Sequence, residues 1–112
     1  MGARASFEPG TPVLLYLHSP REKVFGVLLS LQPAGVAVRG IGLTAFEDWL
    51  RQEARGERGL GLLTVFYPMN RIERVEEDET VGGLEGIAAR FRRETGRSVL
   101  AAAGLSTRRT RR

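Results

Sequence analysis

The 112-residue chain reads as a small, mainly β domain, a strongly bent five-stranded barrel with one inserted helix and one C-terminal helix. Three observations predict this class. Short apolar runs of strand length follow one another at close spacing, separated by turn residues. The second run is long and contains Gly26, a residue that inside a strand marks a bulge or a sharp bend. The apolar period switches to that of a helix at only two places, near 45–55 and near 83–95.

Taken in order, Met1 to Gly10 reads as a loose leader, closed by Pro9-Gly10 and Pro12. Residues 13–18, Val-Leu-Leu-Tyr-Leu-His, form a first strand, and Ser19-Pro20-Arg21-Glu22 a polar turn. Residues 23–32 form the long second strand, Pro33-Ala34-Gly35 a hairpin turn, and residues 36–40 the third strand. Thr44-Ala45-Phe46-Glu47 has the form of a capping box, with Thr44 as N-cap. Phe46, Trp49 and Leu50 then fall on one helical face, Glu47 and Arg51 make an i, i+4 pair, and Gly56 supplies a stop. Residues 62–67 are the fourth strand. Residues 71–76 alternate in polarity as an edge-like fifth strand, although Ile72 and Val75 are out of phase. Glu76 to Glu79 is an acidic cap. Leu84, Ile87, Ala88 and Phe91 repeat at helical spacing, giving a second helix over 83–95 that ends at Gly96. The expected organisation is a leader at 1–10, a barrel at 11–79, a C-terminal helix at 80–96 and a disordered basic tail at 97–112.

Composition narrows the function. Hydrophobic residues at 42% and charged residues at 27% are globular values, and the length allows one core. Cysteine is absent and histidine occurs once, which removes disulfides, thiolate chemistry and His-rich metal sites. No stretch approaches the roughly 20 apolar residues of a membrane span. Met1 to Pro9 has no apolar core, so no secretory signal is expected and the default compartment is the cytoplasm. The net charge of +4 is uneven: residues 1–87 carry −3 and residues 88–112 carry +7. A tail with Arg108, Arg109, Arg111 and Arg112 is suited to neutralising phosphates, and equally to keeping a chain end soluble.

The strand runs carry a resemblance. Pro12-Val13-Leu14-Leu15-Tyr16-Leu17, Lys23-Val24-Phe25-Gly26-Val27-Leu28-Leu29-Ser30, and Val65-Phe66-Tyr67 with Arg71-Ile72-Glu73-Arg74-Val75 resemble the first, second, and paired fourth and fifth strands of Sm-like domains. That fold, a relative of SH3-like barrels, is shared by Hfq-type RNA chaperones and Sm proteins. The likeness covers residues 12–76. Tyr67 matches the start of the Tyr-Lys-His run of Hfq-type proteins but is followed by Pro68 and Met69, and the Arg39-Gly40 pair ends the third strand rather than following the fourth. The resemblance implies RNA binding by arginine–phosphate and aromatic–base contacts, and a homo-oligomeric ring joined through fourth and fifth strands.

The candidate binding residues are therefore Arg39, Tyr67, Arg71, Arg74 and the tail arginines Arg108, Arg109, Arg111 and Arg112. Arg71 and Arg74, interleaved with Glu73 and Glu76, also fit an exposed strand face of alternating charge. Trp49 can stack a base, but its spacing from Phe46 fits the core. His18 has no triad partner, and Glu47 and Asp48 point about 100° apart on a helix, so neither forms an acid–base pair. Gly82-Gly83 resembles an anion-binding helix start, but Glu77-Asp78-Glu79 beside it repels phosphate. No enzyme, cofactor or metal site is expected. RNA is the expected partner. The alternative is a protein-interaction module in which the inserted helix or the C-terminal helix docks a protein partner.

Overall fold

A computed structural model describes residues 7–57, 59 and 61–105. The chain order is β1 (Pro12–Leu17), β2 (Glu22–Gln32), β3 (Gly35–Gly42), α1 (Leu43–Ala54), β4 (Leu63–Pro68), a 3-10 turn (Met69–Arg71), β5 (Ile72–Glu77), α2 (Ile87–Thr95) and α3 (Val99–Ala102). All five strands form one antiparallel sheet in the order β4-β3-β2-β1-β5. β4 and β5 stand at its two edges with no ladder between them, so the sheet curls without closing into a barrel. The 3-10 turn draws the two edges together: Met69 N–H donates to the Ala34 carbonyl, and His18 N–H to the Arg71 carbonyl.

The sheet has a core on each face, because side chains alternate along a strand. On the inner face Val13, Leu15, Leu17, Val24, Leu28, Val36 and Val38 pack together, flanked by Tyr67, Ile72 and Val75. On the outer face Phe25 and Val27 of β2 meet Phe46, Trp49 and Leu50 of α1, Phe91 of α2, and Val99 and Ala103 around α3. β2 feeds both cores, so Val24 to Leu28 is buried without a break. The helical face Phe46, Trp49 and Leu50 lies inward as its spacing predicts. The Trp49 ring stacks on Phe91 with centroids 4.5 Å apart, and Phe46 bridges to Phe25. Such aromatic pairs contribute about 0.5–1.5 kcal/mol each beyond the area they bury.

Two irregularities explain the curvature and the phase of the edge. The register of β2 against β3 shifts between Leu28 and Ser30, so the bulge falls near Leu29 and not at Gly26. Gly26 has a different task. A Cβ there would lie 2.8 Å from the Arg39 carbonyl oxygen and from the Gly40 Cα, so the glycine permits a close approach of β3. In the β1–β5 ladder Leu17 pairs with Ile72 and Tyr16 with Arg74, leaving Glu73 as an extra residue. That bulge brings Ile72 and Val75, out of phase in sequence, onto the same inner core.

Several expected details are corrected. Helix α1 begins at Leu43 with Gly42 as N-cap and no side-chain cap, so Thr44 and Glu47 form no capping box. Arg51 pairs with Asp48 rather than with Glu47. The second helix starts at Ile87, not 83, because Val81 and Leu84 pair across a tight Gly82-Gly83 turn, which leaves Leu84 exposed. Asp78, from the acidic cap, accepts from the Ile87 and Ala88 N–H groups at 2.8 Å and satisfies the start of α2. Beyond Gly96, which has the left-handed backbone of a helix stop, the chain does not fray directly. Ser98 caps α3, and Val99 and Ala103 are buried.

Candidate nucleic-acid interface

Tyr67 sits near the end of β4, opposite Val36, and faces inward. It is half-buried, and burial raises its phenol pKa, with the Glu22 charge adding to the rise and Arg71 opposing it. Its ring borders a cavity of about 150 Å³ whose apolar walls are Val24, Val38, Val65 and Leu63, with Gly40, Gly42 and Gly61 between them. This cavity adjoins a second, of about 300 Å³, that shares Val24, Gly42 and Tyr67 and is rimmed by Arg21, Glu22, Lys23 and Thr44. Together they form a cleft at the open end of the curled sheet, apolar inside and charged at the rim.

Among the described residues, the cations of this cleft differ from most others. Arg51, Arg55, Arg71, Arg74, Arg90, Arg93 and Arg97 each pair with a carboxylate. Among the described residues Arg21, Lys23, Arg39 and Arg92 have no carboxylate partner, and two of these four line the same cleft. Lys23 reaches the cleft only along the strand: its ammonium lies over the Tyr16 ring, 5.5 Å from the centroid, on the sheet face opposite Tyr67.

The arginines expected to bind phosphate are engaged elsewhere. Arg39 faces outward; its Nε donates to the Ala103 carbonyl and its Nη1 to Thr64 Oγ1 at 3.0 Å, tying the end of α3 to the sheet. Arg71 donates to the carbonyls of His18 and Pro20 and pairs with Glu22 at 3.6 Å, so it holds the β1–β2 turn. Arg74 stacks over the Tyr16 ring at 4.1 Å and pairs with Glu76, which also accepts from the Tyr16 hydroxyl. The structure thus brings Arg71 close to Tyr67 and leaves Arg39 and Arg74 apart from it. Arg108, Arg109, Arg111 and Arg112 lie outside the described residues.

Other candidates resolve plainly. Trp49 is 1% exposed and belongs to the core. His18 is exposed, and its ring Nδ1 lies 3.2 Å from the Ser19 hydroxyl. Glu47 accepts from both terminal nitrogens of Arg90 at 2.7 and 2.8 Å, which lowers its pKa. No group of three or more potential metal-ligating residues occurs among the described residues. A further cavity, of about 500 Å³, is rimmed by Glu76, Glu77, Asp78 and Glu79 and has the wrong sign of charge for a phosphate chain. No helix among the described residues is long and apolar enough to cross a membrane.

Arg21 and Lys23 did not stand out in the sequence. Their distinction is the lack of a partner, and pairing with distant carboxylates such as Glu47 to Arg90 is set by the packing of α1 on α2. Comparison with protein-family models, with curated proteins and with solved structures gives no match to this chain.

Proposed function

We propose that this chain is a small non-enzymatic, Sm-like RNA-binding domain of the cytoplasm. The observation that carries the reading is the cleft whose lining brings half-buried Tyr67 together with Arg21, which has no carboxylate partner among the described residues. An aromatic ring next to fixed positive charge is the arrangement by which single strands are held: the base stacks and the phosphate is neutralised. The curled five-stranded sheet, with its long bent β2, supports the Sm-like assignment. The tail arginines add affinity without sequence preference. The free edges of β4 and β5 are each six residues long and suit the strand pairing by which such domains assemble into rings.

The competing reading, a protein-docking helix, loses its best anchors. Trp49 and Phe91 are buried, and outward residues of α1 pair with α2 through Glu47–Arg90 and with the chain after it through Glu53–Arg97.

The test is titration of the full chain with a fluorescein-labelled octauridylate, followed by anisotropy at several salt concentrations. Saturable binding that weakens steeply with added salt, and weakens further in Arg21→Ala/Lys23→Ala, is the expected result. Absence of binding at low salt removes the RNA reading.

A further inference from the structure

We propose that the groove beside the end of β5 is the docking site of this chain's own basic segment, residues 106–112, held there by arginine–carboxylate contacts; the proposal stands independently of the RNA-binding reading. The groove measures about 500 Å³ and has two kinds of surface. Its apolar part comes from Phe7, Leu14 of β1 and Val81, and Val81 is left 61% exposed. Its polar part is Glu76, Glu77, Asp78 and Glu79. Two of these carboxylates are already engaged. Glu76 pairs with Arg74 and accepts from the Tyr16 hydroxyl, and Asp78 accepts from the first N–H groups of α2. Glu77 and Glu79 have no cationic partner among the described residues. The helical carboxylates differ: Glu47, Asp48, Glu53 and Glu94 each meet an arginine. An apolar floor beside free carboxylates suits arginine. Its stem lies along apolar surface, its charge favours an aromatic face such as Phe7, and its planar head takes both oxygens of a carboxylate.

Charge and reach identify the occupant. Residues 106–112 read Ser-Thr-Arg-Arg-Thr-Arg-Arg, with no acid among them, and they continue directly from Leu105. Their point of departure is fixed. Arg39 of β3 donates to the Ala103 carbonyl, and Leu105 N–H donates to the Leu100 carbonyl. Leu105 packs against the outer core, the same cluster against which Leu14 packs. One row of paired residues crosses the sheet from this point to the groove. Arg39 pairs with Val27, Val27 pairs with Pro12, and Asp78 N–H donates to the Pro12 carbonyl. Arg39 and Asp78 are thus three strand spacings apart, about 14 Å. A segment of this length reaches about 24 Å when extended, which leaves about 10 Å for a path around the helices. Its attachment to the same molecule makes the encounter intramolecular, so surface ion pairs that are weak one by one suffice to hold it.

The chain has no cysteine, so Thr110→Cys supplies a single thiol for a nitroxide label. Backbone amide signals of the isotope-labelled full chain then report what lies near the label. At low salt the signals of Leu14, Asp78 and Val81 are expected to be lost by paramagnetic broadening. They are expected to return in about 1 M salt, where the screening length falls to about 3 Å. They are also expected to return in Glu77→Gln/Glu79→Gln, with the melting temperature unchanged. Glu79→Gln alone, at an exposed position, is the second variant and is expected to restore them in part. Unbroadened signals at low salt overturn the proposal. Broadening that persists in the folded carboxylate variants also overturns it, since the label then lies near the groove without needing these groups. Broadening of equal size in a mixture that carries label and isotope on different chains places the segment on a second copy, and overturns docking within one chain.

Discussion

At the scale of single residues, the molecule separates groups that hold it together from groups left available. Trp49 fills the space between α1, α2 and the outer face of β2 and is stacked on Phe91. Trp49→Ala should lower stability by about 3–5 kcal/mol in urea unfolding, the usual cost of removing a large buried aromatic. Asp78 acts at a distance in sequence, capping α2 with both carboxylate oxygens. Asp78→Ala should cost about 0.5–2 kcal/mol by the same measurement, as loss of a helix cap does. Arg39 and Arg71 are drawn into carbonyl contacts that fasten α3 and the β1–β2 turn. Their replacement should lower the melting temperature more than it lowers RNA affinity, whereas Arg21→Ala should do the reverse.

At the scale of elements, the helices are joined to each other by a belt of exposed ion pairs. Glu47–Arg90 and Glu53–Arg97 link α1 to α2 and the chain after it, and Glu85–Arg93 closes the start of α2. Hydrogen bonds from Arg90 lower the Glu47 pKa, and those from Arg93 lower that of Glu85. A carboxylate whose folded pKa lies below its unfolded value stabilises the fold above the unfolded value, about 4.3 for Glu, and loses that effect as pH falls through the folded value. Thermal melts should therefore be flat from pH 7 to about pH 5 and then decline, and Glu47→Gln should make the decline shallower. These pairs are solvent-exposed, so the decline should be modest and reduced by salt. The strands obey a different logic. The extra residue Glu73 rephases β5, so deleting it should turn Ile72 away from the inner core and broaden the unfolding transition.

At the scale of the whole molecule, two open edges and two charge territories remain. β4 and β5 are unpaired along their outer sides, and light scattering of the full chain should give a hexamer or heptamer if those edges join neighbouring copies. A monomer at micromolar concentration would mean that the edges are not used in this way. The basic end should act separately from the cleft. Replacing Arg108, Arg109, Arg111 and Arg112 by alanine should reduce the salt slope of RNA binding by at most about 3, at about 0.7 per phosphate contact for single strands.

Much of this architecture is legible in the residues alone, because it rests on local periodicity. Alternating apolar runs give four of the strands within a residue, while β3 runs two residues past its expected end at Gly40, and Phe46, Trp49 and Leu50 mark the buried face of α1. Tyr67 is found from the sequence by resemblance, and the structure places it at a cleft. Other features depend on residues far apart in the chain. Leu84 has helical spacing from Ile87, but the cross-turn pairing of Val81 with Leu84 takes it out of the helix. Glu47 looks like a cap and is instead the partner of Arg90, 43 positions away. Which cations stay unpaired, and where glycines leave a cavity rather than permit a close approach, follow from the way the sheet curls and the helices pack over it. Short-range pattern determines the elements, since strand and helix periods are properties of the local backbone. Only the tertiary structure decides which charges meet, because opposite charges pair according to their separation in space.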